Sequence, residues 1–147
     1  MLPSSSKKCT NNYSPSFNSI MNYQDIKSFS DACKALGISE ENLPEVSMLP
    51  EKHQKSITAF YKLMIIIEAI NNGWTPDWSN VNQWKYYAWF EVKATKKNPS
   101  GSGFSSSGYF YSRYSTTVGS RLCVDSSEKA MYLGEQFADL YKDYLLL

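Results

Sequence analysis

From Trp84 to Thr95 the chain reads WKYYAWFEVKAT, with large apolar residues at every second position. Trp84, Tyr86, Ala88, Phe90, Val92 and Ala94 fall on one side of an extended chain. Lys85, Tyr87, Trp89, Glu91, Lys93 and Thr95 fall on the other. A period of two belongs to a strand with one face in a core, so this block requires a sheet. Its second face mixes rings with lysines, where a solvated face is ordinarily plain polar. A binding surface is the functional meaning of that mixture; cross-strand aromatic pairing for stability is the structural one.

The rest of the chain supplies partners for that strand. KKNPSGSG, starting at Lys96, reads as a turn or a mobile loop. GYFYSRYSTT (Gly108 to Thr117) reads as a second strand, with Tyr109, Tyr111 and Arg113 facing opposite to Phe110, Ser112 and Tyr114. RLCV, Arg121 to Val124, reads as a short third strand. In KSFSDACKALGI, Ser28 caps a short helix with Asp31 at the third position, and Gly37 ends it. Glu51 to Asn72 is the main helix, opened by Pro50 and stopped by Asn71, Asn72 and Gly73. Its apolar stripe of Ile57, Phe60, Tyr61, Met64, Ile67 and Ile70 is widened by Leu63, Ile65 and Ile66.

Asp125 is placed to cap a last helix, with Glu128 completing the box. The stripe of that helix is Ala130, Met131, Leu133, Phe137, Leu140, Tyr141 and Tyr144. The order of elements predicts an α+β domain: a small antiparallel β-meander with helices packed on one face. Phe60, Met64, Ile67, Phe90, Leu133 and Phe137 are expected to meet in its core.

With 147 residues there is room for one ordinary domain. Residues 24–147 form it. Residues 1–23, rich in Ser and Asn, read as a flexible arm or as a strap held by Tyr13, Phe17, Ile20 and Met21. Residues Met1 to Lys8 offer almost no apolar surface, so their removal is expected to leave stability unchanged. The three cysteines, Cys9, Cys33 and Cys123, have no metal-site spacing. Cys33 and Cys123 lie in apolar settings that suit a reducing compartment. No apolar run follows the lysines of the N-terminus, so no signal peptide is expected. LMIIIEAI from Leu63 is interrupted by Glu68 and too short to cross a bilayer. A cytoplasmic protein without a membrane partner is the resulting expectation.

Catalysis finds little support. His53 is the one histidine, in a polar helical turn with no Cys or Asp motif to frame it as a base. The Gly101–Gly103 segment precedes a strand rather than opening a helix, which is the wrong context for a phosphate loop. Neither Glu40 with Glu41 nor the isolated Asp77 makes a metal cluster. No enzymatic activity, cofactor or metal is expected.

Binding is better served. Formal net charge is +1, yet Lys85, Lys93, Lys96, Lys97, Arg113 and Arg121 all fall between Trp84 and Arg121, against the single acid Glu91. The candidate surface is Lys85, Tyr87, Trp89 and Lys93, joined by Tyr109, Tyr111 and Arg113 if the hairpin register brings them to that face. The Trp74-Thr75-Pro76-Asp77-Trp78 loop adds two rings, either as a plug for the end of the core or as an exposed platform. Rings beside cations suit single-stranded nucleic acid, where lysines track phosphates and bases stack. A protein partner or self-association is the leading expectation and single-stranded nucleic acid the alternative. An unrecognised enzyme is third.

WTPDWSNVNQWKYYAWF (from Trp74) and GSRLCVDSSEKAMYLGEQFADLYKDYL (from Gly119) resemble short uncharacterised proteins encoded by phages and mobile elements of gut bacteria. The resemblance spans roughly residues 25 to 147. That family has no established activity, so it carries over no residue role. It implies a setting: a small accessory protein made in the cytoplasm of an infected or element-bearing bacterial cell.

Overall fold

The computed structural model describes residues 22–97 and 103–146. The N-terminal arm as far as residue 21, Cys9, and the middle of the KKNPSGSG turn lie outside the described residues. Tyr23, assigned to the arm by sequence, belongs to the folded domain: its ring meets Tyr132 edge-on at 5.4 Å.

The first helix, α1 (Phe29–Leu36), is built by the predicted cap. Ser28 Oγ accepts from the Asp31 N–H at 3.1 Å, and the Asp31 carboxylate reaches back to the Lys27 N–H at 3.2 Å. Gly37 closes the helix at φ 67°, a left-handed conformation that glycine adopts without strain. The main helix, α2 (Glu51–Asn71), ends on Asn72, which takes the same left-handed turn at φ 46°. Leu63, Ile66, Ile67 and Ile70 bury the centre of α2. Ile57 is exposed and Met64 only partly buried, so the stripe is narrower at those positions than the spacing predicts.

The sheet is a hairpin of β1 (Lys85–Lys93) and β2 (Gly103–Ser112). The second strand begins five residues before the predicted Gly108 and stops at Ser112 instead of Thr117. Phe104 explains the early start, because its ring stacks on Phe90 at 4.5 Å and extends the ladder over FSSSG. At the far end the Ser112 hydroxyl accepts from the Ser115 N–H at 3.1 Å and turns the chain away. Trp89 pairs with Gly108 and Phe90 with Ser106, so Ser107 is an extra residue in a β-bulge. Gly108, at φ 122°, has the freedom that the bulge requires.

The predicted third strand is not a strand. Gly119 turns the chain, Ser120–Leu122 is a 3-10 turn, and only Val124 bridges to β1. Its N–H and C=O both bond Tyr86, at 2.9 and 3.0 Å. Turning here carries Leu122 and Cys123 into the core, which a straight strand would not do.

The last helix is two helices, α3 (Ser127–Gln136) and α4 (Ala138–Leu145), broken at Phe137. The cap of α3 is Ser126 rather than Asp125: the Ser126 hydroxyl accepts from the Lys129 N–H at 3.3 Å. Asp125 pairs instead with the Lys129 ammonium at 2.9 Å. Met131, expected on the stripe, is exposed.

The fold is α+β, with helices packed against an antiparallel hairpin. Ile67, Leu133 and Phe137 share one buried cluster, and Phe60 and Phe90 pack on it. Gly134 sets how closely α3 meets the sheet. A Cβ there would lie 2.6 Å from Ser106 Oγ and 3.4 Å from Ala88 Cβ.

Both described cysteines are free and buried. Burial pushes the Cys123 thiol up to about 11, and desolvation followed by the charge of Glu40 raises Cys33. Neutral, enclosed thiols are poor nucleophiles. In a Cys9→Ser protein at about pH 8, a disulfide-exchange reagent should therefore react slowly with both until denaturant is added. Fast labelling of either thiol under native conditions would show that the core is open there.

Candidate functional site

Lys85 occupies the face that the alternation assigns to it, but it is not on the surface. Its side chain is fully buried. The ammonium donates to the carbonyls of Asp77 and Gln83, the latter at 2.9 Å, with longer contacts to Arg113 O at 3.4 Å and Asn80 O at 3.5 Å. The Trp78 ring lies 5.1 Å away. A buried charge is tolerable only when its donors are satisfied, and here main-chain carbonyls of the loop between α2 and β1 satisfy them.

That loop is well braced. The Trp74 N–H donates to Asn71 O at 2.9 Å. The Asp77 N–H donates to Gln83 Oε1 at 2.5 Å, and Gln83 Nε2 donates to Thr75 O at 3.2 Å. Asp77 Oδ1 accepts from the Ser79 hydroxyl and N–H, at 2.6 and 2.9 Å. These bonds hold the Asp77 carboxyl below the usual carboxylate range. Trp78 donates its ring N–H to Ser120 Oγ at 2.7 Å. Trp74 and Trp78 are both half-buried; at Trp78 the ring braces the loop.

Tyr87 is also buried, and its hydroxyl accepts from Thr117 Oγ1 at 3.4 Å. The segment following β2 covers the beginning of the predicted binding face. Beyond it the face opens: Trp89 is 47% exposed, and its cross-strand neighbour Phe110 is 49% exposed with ring centroids 5.3 Å apart. Phe110 was not among the candidates from sequence. Its pairing with Tyr87 puts it there, and only the register could reveal it.

Tyr109 and Tyr111 do not join this face. They pair with Ala88 and Tyr86, so they lie on the opposite side of the hairpin. There, rings follow one another: Trp84 to Tyr111 at 5.1 Å, Tyr111 to Tyr109 at 6.2 Å and Tyr109 to Tyr86 at 5.8 Å. Trp84 and Val92, expected in the core, are 39% and 46% exposed, because the helices cover only the middle of this side. The Arg113 guanidinium lies 4.4 Å over Trp84 and 5.4 Å over Tyr114, and bonds Val81 O at 3.4 Å.

The candidate set is therefore divided. Of the three proposed cations Lys85, Lys93 and Arg113, the first two lie on the face of Trp89, and of those only Lys93 is exposed. Beside the outer edge of β1 runs a mainly apolar groove of about 420 Å³, lined by Tyr87, Trp89, Phe90, Val92, Val118 and Leu146 among others. A second depression of about 390 Å³ lies between α2 and α4 beside the Lys55–Asp143 ion pair. Its lining mixes Gln54, Lys55, Thr58, Lys62 and Asp143 with Val46, Ala59 and Leu140, and holds no rings.

His53 is exposed on α2. Among the described residues, no three His, Cys, Asp or Glu side chains gather where they could hold a metal ion. No helix among them is long and apolar enough to cross a membrane. No protein family, curated protein or solved structure was found to match this chain.

Proposed function

We propose that this chain is a non-enzymatic interaction protein, and that its β1–β2 hairpin docks onto another protein. The carrying observation is the concentration of exposed rings on that hairpin. Trp89, Phe110, Tyr109 and Tyr111 are each between 40% and 50% exposed, and the apolar groove adjoins them. Scattered exposed apolar residues need no explanation, but a contiguous patch marks a contact surface. Trp89 and Phe110, in ring contact on one face beside the groove, form such a patch, and Tyr109 with Tyr111 adds a second on the other face. Aromatic residues are also the side chains that most often dominate interface energies. In a phage or mobile-element setting, the fitting role is assembly with, or interference with, a protein of the bacterial host.

The second reading is binding of single-stranded nucleic acid. The observation favouring it is Arg113, a cation stacked beside the rings of Trp84 and Tyr111. Phosphate tracking needs several cations along the path of the strand. With Lys85 buried among carbonyls, that requirement is poorly met.

Affinity capture tests the protein reading. Tagged protein is expressed in bacterial cells, and what co-purifies is compared with the Trp89→Ala/Phe110→Ala protein. Both side chains are half-exposed, so the double variant should stay folded by circular dichroism. It should lose a specific co-purifying protein, since truncating a central aromatic anchor removes about 2 kcal/mol or more of binding. An identical captured set for both proteins contradicts the hairpin as the docking surface.

A further inference from the structure

We infer that one partner of this surface is a second copy of the chain, joined by antiparallel pairing of β1 with β1 across a two-fold axis. The inference deepens the reading of the hairpin as an interaction surface and rests on it. It begins from main-chain directions. Tyr86 turns both its N–H and its C=O outward, away from β2, to bond Val124. Alternation along an antiparallel strand then turns the same groups of Ala88, Phe90 and Val92 outward. The Trp89 carbonyl, which accepts from Ser107 Oγ of β2 at 3.3 Å, agrees with that parity.

Among the described residues, Val124 is the only one that pairs with this edge, and β1 and β2 make up the whole sheet. After Val124 the edge is left to the groove, because the 3-10 turn of Ser120–Leu122 leads the neighbouring chain away. An open edge is a template for another extended chain. It is ordinarily blunted by proline or by charges that repel a second strand. β1 contains no proline, and its two charges near the open end are of opposite sign.

Those charges select the occupant. A two-fold axis at Val92 pairs Val92 with its own copy and Phe90 with Ala94 of the second molecule. Phe90 and Val92 are outward-turned positions, and Ala94, the first residue after β1, follows in the same alternation, so these main-chain groups can exchange hydrogen bonds. On the other face Glu91 lies opposite the copy's Lys93, and Lys93 opposite the copy's Glu91. The edge is thus complementary to itself in charge and in hydrogen-bond parity, and a C2 contact requires that self-complementarity. Val92, 46% exposed, would be covered at the axis. The product is a four-stranded sheet in the order β2-β1-β1-β2.

Sedimentation equilibrium of the full chain over a range of protein concentrations tests the inference, read together with three variants. Wild type should be in monomer–dimer equilibrium. Glu91→Lys puts like charges opposite each other twice and should weaken the dimer about tenfold. Adding Lys93→Glu restores opposite signs and should recover wild-type association. Val92→Pro removes an outward N–H, so it should abolish the dimer while circular dichroism shows the hairpin intact.

A wild-type monomer at the highest concentration overturns the inference, as does a charge-swapped double variant no tighter than Glu91→Lys. A monomer that still captures another protein through Trp89 and Phe110 overturns the dimer alone. A monomer that captures nothing overturns the interaction reading as well.

Discussion

Phe137→Ala should be the most damaging single truncation, with a loss of about 3–5 kcal/mol, the range for large aromatic side chains in packed cores. Phe137 is 5% exposed and belongs to the central cluster. Its ring meets Tyr132 edge-on at 6.2 Å. It is also the residue at which α3 ends and α4 begins. Its N–H donates to Leu133 O, and its carbonyl accepts from the Tyr141 N–H, both at 3.1 Å. Removing the ring leaves a cavity where two short helices depend on a common anchor. Denaturant melts followed by circular dichroism measure the effect. A loss below about 1 kcal/mol would mean that the α3–α4 corner collapses onto the void or was never tightly packed.

Lys85→Met should cost about 1.5–3 kcal/mol, the net worth of hydrogen bonds made by a charged group. Methionine is close in length and apolar, so it fills the space without serving the carbonyls of Asp77, Gln83 and Arg113. Those three acceptors belong to the loop before β1 and to the turn after β2, so the loss should be felt first at that end of the hairpin. Trp78 reports it locally, because its ring lies beside the ammonium and its N–H bonds Ser120. The variant should therefore show both a lower denaturant midpoint and a shift in tryptophan emission. An unchanged midpoint would mean that water serves those carbonyls equally well. It would also return Lys85 to the candidate binding residues.

What could be read from the sequence was whatever depends on near neighbours. Ser28, Gly37 and Asn72 act through hydrogen bonds within one helical turn, and their roles follow from residue type and spacing. The alternation from Trp84 to Val92 likewise placed Lys85, Tyr87 and Trp89 together on one face. Whether each is exposed depends on chain that returns from elsewhere, and the covering segments carry no signal of their own. Lys85 had no acidic partner in sequence to mark it as buried, because its acceptors are carbonyls that every residue possesses.

The hairpin register was hidden for a related reason. FSSSG lacks strong alternation, and the bulge at Ser107 shifts the parity between its first and second halves. Tyr109 and Tyr111 consequently fell on the side opposite to Trp89. The break at Phe137 was equally silent, because LGEQFADLYKDY keeps a helical apolar spacing through the corner.

The central proposal is that this hairpin presents rings with too few cations along one face to track phosphates, and so serves a protein partner. Lys85 is buried, and Arg113 lies on the side away from Trp89. Fluorescence anisotropy of labelled oligo-dT, titrated with the full chain at low and at high salt, tests it most directly. The account predicts no binding at micromolar protein even at low salt. Binding that falls steeply as salt rises, and that drops by about 1–3 kcal/mol on Trp89→Ala through lost stacking, would contradict it.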